Sequence, residues 1–247
     1  MVDLADIHCH LLPYVDDGAE DLSISLQLIA SEAQQGVRTI CVTPHLREGM
    51  FGSSDHWIRE KFAQLEEEIR QQNIPVRLCL GREYFYDSGF RRRLAEGRVI
   101  PLGNGTTLLV EFSTQHDFEV LLEGVERVQK AGYQPLIAHV ERYFATCGQV
   151  DRVRQLIDAG AMIQVNANSI LGDEGFKRRM FTRKLLKYQL VHVVASDAHD
   201  PRYRPSKIAQ CATYIEKKMG SEYAQIVLRY NPLSILGPLP FQREKGD

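Results

Sequence analysis

Five short segments spread across the chain each set metal-ligating residues directly after an apolar, β-rich run. They are Asp6-Ile7-His8-Cys9-His10, Thr43-Pro44-His45, Gly81-Arg82-Glu83, Ala138-His139 and Ser196-Asp197-Ala198-His199. Imidazoles and carboxylates in such places suit a metal-dependent hydrolase, because enzymes built on parallel strands keep their reactive groups at the strands' C-terminal ends. In His8-Cys9-His10 the two-residue period of a strand puts both imidazoles on one side, where they can meet one ion, and turns Cys9 toward the core. The loop after it carries Asp16-Asp17-Gly18, two carboxylates and a glycine suited to a tight turn. That tripeptide is also ordinary turn chemistry.

His45 follows an apolar, β-branched run at 39–43, and Pro44 forbids its continuation as a central strand. Glu83 follows Leu78-Cys79-Leu80-Gly81, and Glu111 follows Leu108-Leu109-Val110 in the same manner. A carboxylate against a buried strand is costly unless paired or metal-bound, so each is a ligand or half of a strand-end salt bridge. His139 caps the run at 135–138. Asp197 and His199 close the continuous apolar run at 191–196, which makes this last element the most specific single piece. A mixed set of imidazoles and carboxylates on this scale exceeds the needs of one tetrahedral zinc. It suits two or three divalent ions of the Mn, Fe, Zn or Mg kind.

Other hydrolytic machinery is absent or broken. Cys41-Val42-Thr43-Pro44-His45-Leu46-Arg47 has the Cys-x5-Arg spacing of a cysteine-dependent phosphatase loop. Such a loop needs consecutive free amides to cradle phosphate, yet Pro44 removes one and Val42 and Thr43 read as strand. No Gly-x-Ser-x-Gly elbow, GxGxxG turn or P-loop occurs.

The elements that must position these groups alternate along the chain. Strands are predicted at 5–8, 39–43, 76–80, 107–111, 135–138, 162–165 and 192–195. Between them lie stretches of helical spacing: Leu22, Leu26, Ile29 and Ala33; Trp57, Ile58, Phe62, Leu65 and Ile69; Leu121, Leu122, Val125 and Val128; Val153, Leu156 and Ile157. Gly36, Gly132 and Gly160 stand where a helix must turn back into a strand. Seven or so βα units with the polar motifs on one face predict an α/β barrel, more than an open doubly wound sheet. The turn-rich tail after Asn231 is expected to close over the barrel.

The 247 residues, 44% hydrophobic, suffice for one domain with a substantial core, and a net charge of −2 lacks the footprint of a nucleic-acid binder. The runs Arg91-Arg92-Arg93 and Lys177-Arg178-Arg179 are expected to be solvated helix faces. Five scattered cysteines without CxxC spacing fit a reducing cytosol. The N-terminus has neither a basic nor an apolar leader region, and no stretch approaches a membrane span, so a soluble, cytoplasmic protein without membrane insertion is expected.

In this order the segments resemble the PHP (polymerase and histidinol phosphatase) family, and within it the capsule-associated bacterial tyrosine phosphatases of the CpsB/CapC type. The resemblance runs through Asp6-Ile7-His8-Cys9-His10, Asp16-Asp17-Gly18, Thr43-Pro44-His45, Glu83, Glu111, His139 with Glu141-Arg142-Tyr143, and Ser196-Asp197-Ala198-His199. It implies an irregular (β/α)7 PHP-type barrel spanning 1–247 as a single phosphatase domain with a trinuclear site, manganese being the first expectation. Carried over by position, His8, His10, Glu83 and Asp197 would hold one ion. Glu83 would bridge to a second held by Glu111 and His139, and Asp17, His45 and His199 would hold a third. Arg142 and Arg204 match the family's phosphate-binding arginines; without the resemblance they read equally as surface ion pairs. One departure is Val140, where the family pattern has proline. The implied substrate is phosphotyrosine on a bacterial tyrosine kinase that regulates capsular or exopolysaccharide synthesis. Alternatives are a small-molecule phosphatase such as histidinol phosphatase, or a metal-stabilised regulatory module without catalysis. Oligomeric state stays open, a homo-oligomer included.

Overall fold

Strands buried on both faces need continuous apolar runs, and the strands of the computed structural model, which describes residues 3–238, lie where those runs are. They are β1 (Leu4–Cys9), β2 (Val37–Val42), β3 (His45–Leu46), β4 (Arg77–Leu80), β5 (Glu83–Phe85), β6 (Thr107–Glu111), β7 (Gln134–Ile137), β8 (Met162–Asn166) and β9 (Val193–Ala195). The helices are α1 (Leu22–Gln34), α2 (Asp55–Gln71), α3 (Ser88–Ala95), α4 (Phe118–Lys130), α5 (Val150–Asp158), α6 (Ala167–Leu171), α7 (Phe176–Lys187), α8 (Ile208–Met219), α9 (Ser221–Gln225) and α10 (Asn231–Leu236). A 3-10 turn occupies Val140–Arg142 and a π-helical turn Ile226–Tyr230.

All strand pairs are parallel, in the orders β1-β2-β4 and β3-β5-β6-β7-β8-β9. The short β3 and β5 carry the directions of β2 and β4 onward. Pro44 interrupts one and Gly81-Arg82 the other, and the bonds Gly81 N to Val42 O (2.9 Å) and Glu83 N to Pro44 O (3.2 Å) span the gap. The ring closes between β1 and β9 through a parallel bridge of Cys9 with Ala198. There Asp197 N donates to His8 O and His10 N to Ala198 O, both at 2.8 Å. The result is the expected irregular barrel with seven strand positions.

Two layers of core follow from this curvature. Ile7, Cys41, Cys79, Leu109, Leu136 and Val193 fill the barrel, whereas residues such as Ile40, Val110 and Val194 face outward against the helices. Gly36, Gly132 and Gly160 have φ of 90°, 85° and 95°, the left-handed turn from helix back to strand that a side chain disfavours. Trp57, expected on an apolar helix face, is instead part-exposed beneath Lys61. Among the described residues no helix is long and apolar enough to cross a membrane.

The end of the barrel opposite the strands' C-termini is closed by α10. Its Ile235 and Leu236 join the interior cluster, Leu236 O accepts from Asn104 N (2.8 Å), and Asn231 Nδ2 donates to His192 O at the start of β9 (2.9 Å). The closing role expected of the tail thus falls to α10, and residues 239–247 lie outside the described part. Leu236 is fully buried within the interior cluster. Leu236→Ala should cost about 2–5 kcal/mol in urea-induced unfolding, and a loss below about 1 kcal/mol would show that the plug is dispensable.

Candidate metal centre

The nine sequence-selected donors all lie at the C-terminal mouth of the barrel. Their ligand atoms fall into four overlapping groups, each within 4.8 Å: His10, Asp17, His45 and His199; His8, His10 and Asp197; His8, Glu83 and His139; His45, Glu83 and Glu111. Glu83 is the centre. Its Oε1 lies 3.2 Å from His8 Nε2 and 3.0 Å from His139 Nε2, and its Oε2 lies 3.2 Å from His10 Nε2 and 2.9 Å from His45 Nδ1. Glu111 stands further out, 3.6 Å from His139 and 3.9 Å from His45. Asp17 reaches His45 at 3.5 Å and His199 at 3.7 Å from a half-exposed loop.

Backbone irregularity aims these groups. The register of β1 shifts between Asp6 and Cys9, so that Ile7 belongs to the interior cluster while His8 reaches the mouth and Cys9 packs outside. Asp6 Oδ1 accepts from both His8 N (3.3 Å) and Ser196 N (3.1 Å), clamping the two strand ends that carry four donors. His139 and Asp197 have left-handed φ of 30° and 53°, a conformation uncommon for such residues and concentrated at functional positions. Gly18 permits the Asp17 loop to close on β1, since a Cβ there would meet His10 O at 2.0 Å.

The donors suit cations by their own hydrogen bonding. His8 Nδ1 is committed to Gln164 Oε1 (3.1 Å) and His10 Nδ1 to Asp16 Oδ2 (2.8 Å), which leaves the two Nε2 atoms facing each other at 3.4 Å. Two lone pairs at that distance need a proton or a metal ion near them. His199 Nδ1 is turned to Asp197 O (3.0 Å), and its Nε2 is buried without a hydrogen-bond partner.

Electrostatics separates the imidazoles. Burial alone pushes His8 and His45 down, but the carboxylates, Glu83 foremost, outweigh it and raise them to about 9 and about 10. Burial and the neighbouring His10 drive His199 down to about 2, so it is a neutral donor at any physiological pH. Glu83 and Asp197, despite burial, are held well below the usual carboxylate range by the surrounding cationic groups.

Two guanidinium groups meet Asp197 from the other side. Arg142 Nη1 lies 2.7 Å and Arg204 Nη2 2.9 Å from Asp197 Oδ2, while Oδ1 faces His8 and His10 at 3.5 Å. The mouth is a cavity of about 240 Å3 walled by Asp17, His45, Glu111, His139, Asp197, both arginines, and Arg47, Met50 and Phe51.

Comparison with known proteins decides the family. Residues 4–237 match the model described as capsular polysaccharide synthesis, CpsB/CapC. The chain belongs to the CpsB/CapC family. Among its relatives is the tyrosine-protein phosphatase CpsB of Streptococcus pneumoniae, 34% identical over 94% of this chain and 98% of the relative. The tyrosine-protein phosphatase YwqE of Bacillus subtilis is 30% identical over 98% of both chains. A crystal structure from work on YwqE and CpsB, described as unique metal-dependent tyrosine phosphatases, superposes with a TM-score of 0.87 at 30% identity, covering 97% of this chain and all of that one. The histidinol phosphate phosphatase of Lactococcus lactis shares the fold at TM-score 0.59 and 16% identity, over 89% of this chain and 95% of that one.

Within this CpsB/CapC chain a layer behind the donors was not legible beforehand. Asp16, paired with Asp17 in sequence, is the member whose side chain is buried, and its Oδ2 accepts from His45 N (2.9 Å) as well as holding His10. Burial would raise the Asp16 carboxyl, yet His10 and His45 hold it well below the usual range. Gln164 also accepts from His139 N (2.6 Å) and donates to Asn166 (2.8 Å), which in turn donates to Asp197 (3.0 Å). Glu174 takes Arg142 in a two-point pair at 2.9 Å. Arg82, fully buried, donates to His45 O (3.1 Å), Ser53 O (3.0 Å) and Asp55 (2.9 Å), tying His45 to the 46–55 segment. Hydrophilic residues within strands or beside known motifs were the available signal.

Of the aromatic residues flanking the donors, Phe112 and Tyr143 are core, Tyr143 donating to Ala138 O (2.7 Å) and accepting from Phe112 N (3.2 Å). Phe85 lies under Arg47, and Tyr14 is exposed. Cys41 is sealed inside the barrel, where burial pushes its thiol well above the ordinary range, so it supplies no thiolate. His56 is exposed, and His192 accepts from Ile163 N (3.1 Å), both away from the mouth. Val140 is buried at the start of its 3-10 turn.

Protons and divalent cations would compete for His8 and His45 if both are ligands. Neighbouring carboxylates raise them to about 9 and about 10, so cation binding would release protons, and affinity should rise by up to tenfold per pH unit for each proton displaced between about pH 6 and 8. Calorimetric titration with Mn2+ in buffers of different ionisation enthalpy measures that release, and a pH-independent affinity would contradict the arrangement. Asp16→Asn should weaken Mn2+ binding by about 10–100-fold through the loss of the charged partner of His10, with unchanged affinity as the contrary result.

Proposed function

We propose that this chain acts over residues 1–247 as one metal-dependent phosphatase domain that hydrolyses phosphotyrosine in the cytoplasm. Its substrate is a bacterial tyrosine kinase that regulates capsular or exopolysaccharide synthesis. The observation that carries the reading is that histidine and carboxylate donors and the guanidinium groups of Arg142 and Arg204 line one small cavity. The family relatives named tyrosine-protein phosphatases support the class of reaction.

In this reading His8, His10, Glu83 and Asp197 hold one cation, Glu83, Glu111 and His139 a second, and Asp17, His45 and His199 a third, with manganese the first expectation. Divalent cations held there supply Lewis acidity, which lowers the pKa of water and polarises phosphoryl oxygens. The protein's own groups do the rest. Arg142, oriented by Glu174, and Arg204 offer N–H donors to the phosphoryl oxygens and offset the charge that grows on them. Asp197 couples the two functions, with one oxygen on the histidine side and one on the arginine side.

The cavity wall favours an aromatic ester. Phe51 stacks on His45 with ring centroids 5.1 Å apart and planes 12° from parallel, and Met50 projects beside it, giving a phenyl ring apolar contact next to the phosphate site. A phenolate leaving group, with a pKa of about 10, needs less assistance from a general acid than an alkoxide does. No covalent phosphoenzyme is required.

Metal-loaded protein should hydrolyse a phosphotyrosyl peptide in preference to histidinol phosphate, lose the activity to a chelator and regain it with Mn2+. A marked preference for histidinol phosphate would overturn the substrate assignment. Arg204→Ala should lower kcat/KM by about 10²–10³-fold, the usual scale for a lost oxyanion donor. Asp197→Ala should abolish activity even after Mn2+ reloading, and undiminished turnover in either variant would remove these residues from the site.

A further inference from the structure

Helix α7 presents an unusual face. At 100° per residue, Phe176, Lys177, Met180, Arg183, Lys184 and Lys187 fall on one side of it, opposite the buried Thr182, Leu185 and Leu186. Phe176 is 66% and Met180 51% exposed, so this is an apolar strip set among cations. The helix contains no acidic residue. Among the described residues Lys177, Lys184 and Lys187 have no ion pair, whereas Arg178 is engaged by Glu174 and Arg183 by Ile170 O and the Tyr214 ring. With Cys147 and Gly148 this face forms an open groove of about 600 Å3.

A short chain of contacts links the groove to the phosphatase mouth. Glu174, two residues before Phe176, holds Arg142, and the turn containing Arg142 leads through Tyr143 to the Cys147-Gly148 wall. We propose that the α7 face docks an acidic polypeptide segment flanking the phosphotyrosine, an inference that rests on the reading of the site as a tyrosine phosphatase. Twelve helical residues span about 18 Å, the reach of some five extended residues. Carboxylates of such a segment meet the three unpaired lysines, and its apolar side chains cover Phe176 and Met180. The chain's overall charge of −2 repels an acidic partner elsewhere and so favours this patch. A concave groove suits a peptide better than a flat bilayer.

The test uses full-length, Mn2+-loaded protein and three substrates: a phosphotyrosyl peptide with acidic flanks, the same peptide with the acids changed to amides, and para-nitrophenyl phosphate. The double variant Lys184→Glu, Lys187→Glu should raise KM for the acidic peptide by about tenfold, in line with reversing two surface charges. The nitrophenyl ester should be turned over as before. The wild-type preference for acidic flanks should also fade at high salt. An unchanged ratio between the two peptides in the double variant overturns the proposal. So does loss of binding to phosphatidylglycerol vesicles with that ratio unchanged, which would assign the face to a membrane. Fluorescence anisotropy with the unphosphorylated acidic peptide separates this inference from the functional one. Binding that the double variant weakens supports docking even in a protein inactive on phosphotyrosine, and no binding by wild type refutes docking even in an active one.

Discussion

A single buried carboxylate organises the mouth of this barrel. Glu83 has no access to solvent, and each of its oxygens contacts two imidazoles within about 3 Å. An ionised carboxylate in that position is tolerable only when surrounded by charge complements. The backbone around it is arranged to supply them. Gly81-Arg82 breaks one strand so that Glu83 turns to the axis, Pro44 breaks its neighbour so that His45 does the same, and the β1 irregularity delivers His8. Departures from regular strand geometry are therefore concentrated where donors are placed, while the rest of each strand keeps its ladder.

Around that centre the structure divides labour between atoms of the same residue. Asp197 points one oxygen at histidines and the other at two guanidinium groups. Each of three imidazoles uses one nitrogen to fix its ring, on Gln164, Asp16 or a backbone carbonyl, and leaves the other for the centre. This is how a protein sets both the direction and the basicity of a ligand without spending solvent-exposed groups on it. The same residues tie neighbouring strands together, so the chemistry and the packing share their hydrogen bonds.

The strands, and the histidines and carboxylates at their ends, were legible in the sequence because a continuous apolar run ending in an imidazole or carboxylate is a local signal, whereas the choice of Asp17, Glu83 and Glu111 as ligands rested on the family resemblance. The layer behind them was not legible. Nothing near Gln164 in sequence shows that it faces His8 and the amide of His139, and nothing near Glu174 shows that it faces Arg142, because those meetings depend on ring closure. Asp16 and Asp17 look interchangeable in the chain, and burial alone separates them. Arg82 reads as a surface residue by type, yet its buried fork satisfies the carbonyls of His45 and Ser53 beside the interrupted strands.

The seam between β1 and β9 also bears on how the molecule folds. His8 and His10 lie on one side of it, Asp197 and His199 on the other. Joining strands so distant in sequence carries the largest loop-closure entropy in the topology, which makes it a natural late event. A partly folded chain with the other strands already paired would bring together only part of the donor set. In the proposed reading, a cation held by the full set would therefore stabilise molecules that have completed the ring over those that have not.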